Sequence, residues 1–335
     1  MAEHAPKLGM WVQAHNIHVA RSRKKGFNFP AHIEVGASAT FAPLRGWRRR
    51  ILSGATHVIL ESGHRITGQF YRGDIRAEIA QLKQAGIHVA LLFHGSDIRQ
   101  AQLHVSTVAN SPLGARGEYW DHVRAIASRN VQLAEEFEGP VFVSTPGLVP
   151  HAPHSIWLPL AVAVQRYATD RPLLHREVPV VLHAPSNPLM KGTAAIEPVL
   201  HQLDAEGLIE YRRLVGVPHT QMPEFIADAD VIVDQVVLGD YGVLAIEALA
   251  AGRLVLGNVS DAKQVLPELP IVDVTVATLE KQLREIVAHR AAYQELAESG
   301  AKFAHAYHDG TRAAKVLVQN FLGDLGGVDH GSSAM

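Results

Sequence analysis

Short apolar runs rich in β-branched residues alternate along most of this chain with longer segments of helical period. The crossovers between the runs of the second half are short, and such crossovers join parallel strands through right-handed connections. The pattern predicts an α/β fold with a Rossmann-like parallel sheet in this half. The expected strands cover 178–184, 209–216, 230–236, 253–259 and 271–275, and the expected helices 193–204, 220–228 and 243–252.

The first half shows the same alternation of strand and helix signals. Strands are expected at 8–13, 57–62, 87–95 and 140–145 and within 26–46, with helices at 74–86 and 118–137. From 146 to 179 the chain is dense in proline and histidine, which favours an extended connection because proline is excluded from strand centres and helix interiors. This segment is the expected crossing between two domains, and the length of 335 residues suits two.

Helices are also expected after the second sheet, at 279–298, then in a shorter piece to His308, and at 311–322. The tail over 323–335 is rich in glycine and serine, so we expect it to be flexible. The predicted organisation is a first domain over 1–160, a second over 161–308, a C-terminal helix over 309–322 and the tail.

The composition, 47% apolar and 19% charged, is typical of a globular chain. No apolar stretch is long enough to span a membrane and the N-terminus lacks a signal-peptide pattern, so a cytoplasmic location is expected. The absence of cysteine excludes disulfides, thiolate catalysis and cysteine-based metal sites. The 20 histidines are scattered without a cluster of ligand spacing, so we expect no metal site.

Positive charge is concentrated in the first fifty residues, where nine lysines and arginines outnumber two glutamates. This asymmetry favours a surface that meets phosphates of a nucleic acid, an anionic lipid or a phosphorylated small molecule. Solvated loops and helix ends are an equally good interpretation of the same residues.

The loop HAPSNPLMKGT, at 183–193, places one lysine where a helix is expected to begin. Thr193 is the expected N-cap, so Lys191 and Gly192 come directly before the helix. The amides and the positive dipole end of a helix start attract anions, and a lysine ammonium strengthens that attraction. The sequence predicts a diphosphate site here, and an ordinary exposed loop lysine is the alternative.

A second loop, LGDYG, leads into VLAIEALAAG, where Glu247 has mostly apolar neighbours. A carboxylate within an apolar helix is unfavourable unless a partner satisfies it. The vicinal hydroxyls of a ribose would satisfy both oxygens, and Arg253 is the alternative partner. Both loops are expected at the carboxyl ends of parallel strands, where doubly wound sheets bind their ligands.

KGT opening a helix, followed roughly fifty residues later by a glycine-rich turn and GVLAIEALAAG, resembles GT-B fold glycosyltransferases. The resemblance is to their C-terminal domain, most like the retaining family 4 group, and covers roughly 178–260, including VPHTQMPEFIADADVIVDQ. It implies two Rossmann-like domains with parallel sheets facing across a cleft, and a C-terminal helix that returns to the first domain. It also implies that Lys191 binds the diphosphate of a nucleotide sugar and Glu247 its ribose.

The chain departs from the family motif at two places. Gly239 stands where the family has its first glutamate, with Asp240 one position later, so the acid that faces the sugar is lost or shifted. No arginine occurs in 185–190, so Ser186, Asn187 and helix amides would have to assist Lys191. The donor-binding residues implied are Ser186, Asn187, Gly192, Thr193, Gly239, Asp240, Tyr241, Gly242 and Val243.

FHGSDIR, at 93–99, follows an apolar strand and resembles the His-Gly-Ser-Asp segment of some family 4 enzymes. The resemblance implies that His94 faces the donor sugar and joins Lys191 and Glu247 as a catalytic residue. Asp97 is interpreted as the N-cap of the next helix. The weaker candidates for acceptor binding are Arg99, which either meets phosphate or is exposed, and His15 and Asn16, which lie where the family has a glycine pair.

Asp228-Ala-Asp230 has the DxD form with which another glycosyltransferase fold binds Mn²⁺. It falls where a helix ends and a strand begins, away from the expected ligand edge, so we interpret it as no metal site.

The sequence therefore predicts a hexosyltransferase-type enzyme that moves a sugar from a nucleotide diphosphate sugar to an acceptor hydroxyl with retention and without a metal cofactor. One alternative is a nucleic-acid or anionic-lipid acceptor, reached through the basic first fifty residues; the lipid would place the enzyme peripherally at a membrane. Another is a non-catalytic nucleotide-binding relative. A dinucleotide dehydrogenase is disfavoured because no GxGxxG follows a predicted strand.

Overall fold

The computed structural model describes residues 17–20, 33–36, 46, 49, 51–66 and 74–323. These residues form a four-stranded sheet, a five-stranded sheet and a separate two-stranded pair, all with parallel pairing. The strands are β1 Ile17–Ala20, β2 Ile33–Gly36, β3 His57–Glu61, β4 His88–Phe93, β5 Val141–Val143, β6 Ile156–Trp157, β7 Val180–His183, β8 Glu210–Arg213, β9 Val231–Val233, β10 Leu254–Gly257 and β11 Val272–Asp273.

Helices connect and cover these strands. They are α1 Ile75–Gln84, α2 Ala101–Thr107, α3 Glu118–Glu136, α4 Pro188–Lys191, α5 Thr193–Ala205, α6 Met222–Asp228, α7 Val243–Ala250, α8 Ser260–Val265, α9 Leu279–Ala288, α10 Arg290–His308 and α11 Thr311–Leu317. Short 3₁₀ segments cover Pro112–Gly114, Pro146–His151, Val164–Arg166 and His219–Gln221, and Val318–Leu322 form a π-helical turn.

The five-stranded sheet has the order β11-β10-β9-β7-β8. From β7 the chain first moves to β8 at one edge and then returns to β9 on the other side of β7, so the strand order reverses between β7 and β9. Doubly wound sheets bind ligands at the carboxyl ends of the strands at such a switch point. The loops at 184–192 and 234–242 follow these two strands, so both motifs found in the sequence lie at this edge.

Burial follows strand position in this sheet. The central strands β7, β9 and β10 are buried along their whole length, which suits their runs of valine, leucine and isoleucine. The edge strand β8 is partly exposed, and its Arg212 and Arg213 form ion pairs that place charge along the open edge.

Helix α7 is apolar on nearly every side because it is buried in the second domain, where α10 packs over it. Gly300 of α10 makes this approach possible, since a Cβ there would lie 2.7 Å from Cδ2 of Leu249. This close contact with α10 fixes α7 in the core of the second domain.

The four-stranded sheet, in the order β3-β4-β5-β6, occupies the first half of the chain. The C-terminal helix α11 packs against this sheet rather than against the second one. Its Ala313 and Leu317 share a buried cluster with Ala90, Leu92 and Phe142. The chain therefore crosses between the two sheets twice, once before β7 and once after α10.

The structure corrects two of the predicted segments. Part of the predicted crossing at 146–179 belongs to the first sheet, because it contains a 3₁₀ segment and strand β6. The helix predicted over 279–298 breaks at His289, where the backbone leaves helical dihedrals and Arg290 binds the carbonyl of Glu177 at 2.6 Å. The strand at 8–13 lies outside the described residues, as does the tail from 324 onward.

Candidate functional site

The loop after β7 is shaped by two backbone devices. Asn187 caps the short helix α4 by accepting from the backbone N–H groups of Leu189 and Met190. Gly192 then adopts a left-handed conformation with φ of 75° and joins α4 directly to α5. A Cβ at this glycine would lie 2.9 Å from Cγ1 of Val237, so glycine also allows the two switch-point loops to approach closely.

Lys191 is anchored by the loop after β9. Its Nζ lies 2.5 Å from Oδ1 of Asp234, and Oδ2 of the same carboxylate accepts the backbone N–H of Gly242 at 2.9 Å. A Cβ at Gly242 would be 3.0 Å from Nζ, which places the ammonium beside the first turn of α7. The backbone of Lys191 directly precedes α5, as the sequence predicted. Its ammonium, however, lies beside the start of α7, the helix that carries Glu247.

Thr193 is not the N-cap of α5, as the sequence predicted, because Gly192 holds that position. The Thr193 side chain is buried, and its Oγ1 lies 2.9 Å from Nε2 of His183 at the end of β7. The Thr193 hydroxyl therefore ties the loop to the end of β7 and is not available to a ligand.

Glu247 is buried in α7, and two side chains from distant segments contact one of its carboxylate oxygens. Its Oε1 accepts from the hydroxyl of Tyr167 at 2.7 Å and lies 2.6 Å from Nε2 of His219. Arg253, the partner considered from the sequence, instead binds backbone carbonyls of Ala229 and other residues. Burial, together with the hydrogen bond to Glu247, raises the pKa of Tyr167, so its hydroxyl remains a donor.

Lys191 and Glu247 are thus brought to the same helix. Gly242, beside the ammonium, precedes Glu247 by five residues, which corresponds to about 7.5 Å along a helix axis. A cation near the first turn and a carboxylate one turn further along provide two anchors of opposite charge for one elongated polar ligand.

The family motif implied that Asp240 binds the donor. In the structure its side chain lies instead in the contact between the two halves of the chain. It is only 1% exposed; its Oδ2 accepts from the Thr145 hydroxyl at 2.5 Å and lies 3.6 Å from Nη2 of Arg99. Burial raises the pKa of Asp240 to about 6. The residue after Gly239 therefore joins the carboxyl-end loops of the two sheets.

Arg99 is not exposed to solvent, which was one of its two interpretations from the sequence, but is buried at the contact between the two halves of the chain. It is 4% exposed, and Nη1 donates to the backbone carbonyl of Leu238 at 2.6 Å across the domain junction. His104 packs beside it, and burial, with the charge of Arg99, lowers the pKa of His104 to about 4. His151 is similarly affected, its pKa being lowered to about 3 by burial and by Arg99. These two histidines carry no charge at neutral pH.

Gly239 also lies at this junction, in a left-handed conformation with φ of 67°. A Cβ there would be 2.7 Å from Val108 and 2.8 Å from Oδ2 of Asp261. The side chains of Val108 and Asp261 therefore occupy the space that the Cβ of a glutamate at position 239, the residue of the family motif, would need. Tyr241 is a core residue as well, with its hydroxyl 3.2 Å from Nε2 of His308.

The remaining donor-loop residues lie near the surface. Ser186 and Val243 are exposed. Asn187 reaches across to the first half of the chain, where its Nδ2 donates to the hydroxyl of Tyr119 at 3.0 Å. This contact joins α3 to the loop that carries Lys191.

His94 lies in the loop after β4, and its Nε2 is 3.7 Å from Oε2 of Glu61. Burial alone would lower the pKa of His94, but the carboxylates of Glu61 and Asp97 outweigh it and raise that pKa. The hydrogen bonds and ion pairs of His94 all lie within the first half of the chain. Asp97 is not a helix cap, because it accepts from the N–H groups of His94 and Gly95 and closes their loop.

His15 and Asn16 lie outside the described residues, as do all the basic residues of the first fifty except Arg49.

The two aspartates of the DxD sequence have structural partners. Asp228 binds Arg176 and Arg212, and Asp230 accepts from the backbone N–H groups of Leu174 and Val180. Within 51–66 and 74–323, no group of three metal-ligating side chains is present. Among the described helices, none is long and apolar enough to cross a membrane.

Gly147 is tightly packed against Asp240, since a Cβ at Gly147 would lie 2.7 Å from Oδ2 of that residue. We expect Gly147→Ala to lower the free energy of unfolding by about 1–3 kcal/mol through overpacking, as measured by urea denaturation. Gly95→Ala is the control, because its Cβ would meet nothing within 4 Å. Equal effects of the two substitutions would contradict the tight contact.

Solved structures with a similar fold identify the architecture. Sucrose-phosphate synthase from Thermosynechococcus elongatus aligns over 82% of this chain and 75% of its own, with a TM-score of 0.58 and 15% identity. HepE from Anabaena aligns over 86% and 85%, with a TM-score of 0.55 and 11% identity. The glycosyltransferase WaaG aligns over 85% and 98%, with a TM-score of 0.51 and 13% identity. The chain has the GT-B fold.

The predicted α/β class with two parallel sheets is confirmed by these GT-B neighbours. The sequence matches no protein-family model and no curated protein. At these identities the structural similarity establishes the fold alone.

Proposed function

We propose that this GT-B protein transfers a sugar from a nucleotide diphosphate sugar to an acceptor hydroxyl with retention of anomeric configuration. The observation that carries the proposal is the convergence of Lys191 and Glu247 on α7 at the switch point of the second sheet. In this proposal Lys191 binds the diphosphate and Glu247 binds the ribose hydroxyls. HepE, one of the similar structures, has been solved in complex with UDP-glucose, which supports a nucleotide sugar as donor.

The chemistry of the proposed reaction requires stabilisation of a departing diphosphate. As the bond between the anomeric carbon and the diphosphate oxygen breaks, negative charge grows on that leaving oxygen, the acceptor oxygen bonds to the same carbon, and the departing diphosphate takes up the acceptor's proton. The ammonium of Lys191 and the N–H groups at the start of α7 would oppose that charge from fixed positions. Because Asp234 holds the ammonium beside this helix start, little reorganisation is needed during the reaction. No metal cofactor is part of the proposal.

The acceptor would enter from the first domain, whose carboxyl-end loops face those of the second. His94 remains our candidate on that side for contact with the sugar, as part of the family resemblance. Its raised pKa favours the protonated imidazolium, which suits a hydrogen-bond donor to developing negative charge.

A thermal-shift screen against UDP-, GDP-, ADP- and TDP-sugars tests the proposal. A ligand at roughly one hundred times its Kd stabilises the folded protein by about 2.7 kcal/mol, so one donor should raise the Tm clearly. The donor found in this way is then offered to acceptors, including anionic vesicles and nucleic acid, and NMR determines the anomeric configuration of the product. No shift with any of the donors would contradict the proposal, and binding without turnover would indicate a non-catalytic relative.

A further inference from the structure

The carboxylate of Glu247 is held asymmetrically. Both of its hydrogen-bonding partners, the Tyr167 hydroxyl and Nε2 of His219, lie against the same oxygen, Oε1. The other oxygen, Oε2, makes no hydrogen bond with any residue of the described ranges. Two contacts on one oxygen fix the carboxylate group while leaving its second oxygen with full acceptor capacity.

Tyr167 reaches Glu247 from the crossing between the two domains. It follows the 3₁₀ segment Val164–Arg166, and its ring is buried in the core of the second domain with Ala245 and Leu249 of α7. The ring cannot turn away without disturbing that packing. Its hydroxyl is therefore a fixed donor to Oε1.

His219 reaches the same oxygen from a second segment, the start of the 3₁₀ segment before α6. A carboxylate oxygen accepts hydrogen bonds, so Nε2 of His219 carries the proton in this contact. The imidazole is 47% exposed, which makes it the member of the cluster that borders solvent. The Tyr167 hydroxyl lies 3.2 Å from the same Nε2, so the three groups form one compact cluster.

We propose that Tyr167 and His219 are positioning residues that orient Glu247 and thereby make the site selective for ribonucleotides over 2′-deoxyribonucleotides. The inference rests on the proposed function, because it assumes that Glu247 binds the ribose. With Oε1 occupied, Oε2 accepts from both the 2′- and the 3′-hydroxyl of the sugar. A 2′-deoxyribose removes one of these donors, and a carboxylate that cannot rotate is unable to compensate.

The experiment measures Kd by calorimetry for the tightest of UDP, GDP and ADP and for its 2′-deoxy analogue. The parent should prefer the ribonucleotide by roughly tenfold, the size expected for one hydrogen bond to a charged group. Tyr167→Phe and His219→Leu should each weaken ribonucleotide binding and reduce the preference to roughly threefold or less. His219→Gln, which keeps an N–H donor, should restore most of the preference.

Tyr211→Phe is the matched control, because Tyr211 also donates to a glutamate, Glu197, in the same domain but on the edge strand β8. It should leave both dissociation constants unchanged. A second readout is inorganic pyrophosphate, whose binding should not respond to Tyr167→Phe.

The proposed function and the positioning role are contradicted by different results. If the parent binds no nucleoside diphosphate, the proposed function is wrong. If the parent binds and prefers the ribonucleotide, but Tyr167→Phe and His219→Leu retain the full preference, the positioning role is wrong. Loss of affinity for both nucleotides by the same factor would also overturn it, since it would indicate a structural effect without selectivity.

Discussion

Lys191→Ala is expected to weaken the binding of a nucleoside diphosphate by about a hundredfold, because a charge-assisted contact to phosphate is lost from a partly buried site. The ammonium is 13% exposed and is fixed by Asp234, so it binds without a large loss of side-chain freedom. Calorimetric titration of the parent and the variant with the best nucleoside diphosphate measures the change. The corresponding nucleoside, which lacks phosphate, should bind both proteins equally.

Two further variants separate charge from folding in this experiment. Lys263 is a partly buried lysine of the same domain that donates to the carbonyl of Ile271 at 2.9 Å, so Lys263→Ala is the matched control. Lys191→Ala alone leaves the Asp234 carboxylate buried without its cation, which lowers stability. The double variant Lys191→Met with Asp234→Asn removes both charges and should show the same loss of affinity, about a hundredfold. Parent-like affinity in this double variant would exclude Lys191 from the diphosphate site.

Asp240→Ala is expected to lower the free energy of unfolding at pH 8 by about 3 kcal/mol or more. Its removal leaves the buried guanidinium of Arg99 without its ion-pair partner and the Thr145 hydroxyl without an acceptor. Urea denaturation measures the loss. Asp121→Ala, which breaks an exposed pair with Arg124, should cost less than about 1 kcal/mol. A similar small loss at Asp240 would contradict the role of this carboxylate at the domain junction.

The pH dependence of stability provides a separate signature of Asp240. Because burial raises its pKa from 3.8 to about 6, the folded protein holds this proton in a range where the unfolded chain has released it. The free energy of unfolding of the parent, relative to Asp240→Asn, should therefore fall as the pH rises from about 4 to 6 and level off above 6. If the difference in free energy of unfolding between the parent and Asp240→Asn does not change between pH 4 and 6, the pKa of Asp240 is not raised.

The predictable part of this structure follows from local sequence patterns. The apolar runs located every strand of the two main sheets except β6 to within a few residues, and the alternation with helices favoured parallel pairing. Strand β6 was missed because it lies in the proline-rich segment that was interpreted as an extended crossing. Parallel pairing places the loops that lead to Lys191 and Glu247 at the same edge of the sheet. The sequence alone therefore indicated that the two residues lie on the same side of the second domain. The resemblance to GT-B enzymes added the architecture of two such sheets.

The roles of Asp240 and Arg99 could not be predicted, because their partners are far away in sequence. Thr145 precedes Asp240 by 95 residues and Leu238 follows Arg99 by 139, and no periodicity links such positions. The motif comparison located an acid at 240 but contained no information about the loop of the first domain that faces it. Tyr167 was missed for the same reason, since it lies in a connection without regular structure and acts 80 residues away.

A crystal structure of the protein with its best nucleoside diphosphate bound tests the central claim most directly. We expect one nucleotide along the start of α7, with a β-phosphate oxygen about 2.7–3.2 Å from Nζ of Lys191 and a ribose hydroxyl at a similar distance from Oε2 of Glu247. A nucleotide bound elsewhere, or one that contacts only one of these two side chains, would contradict the account.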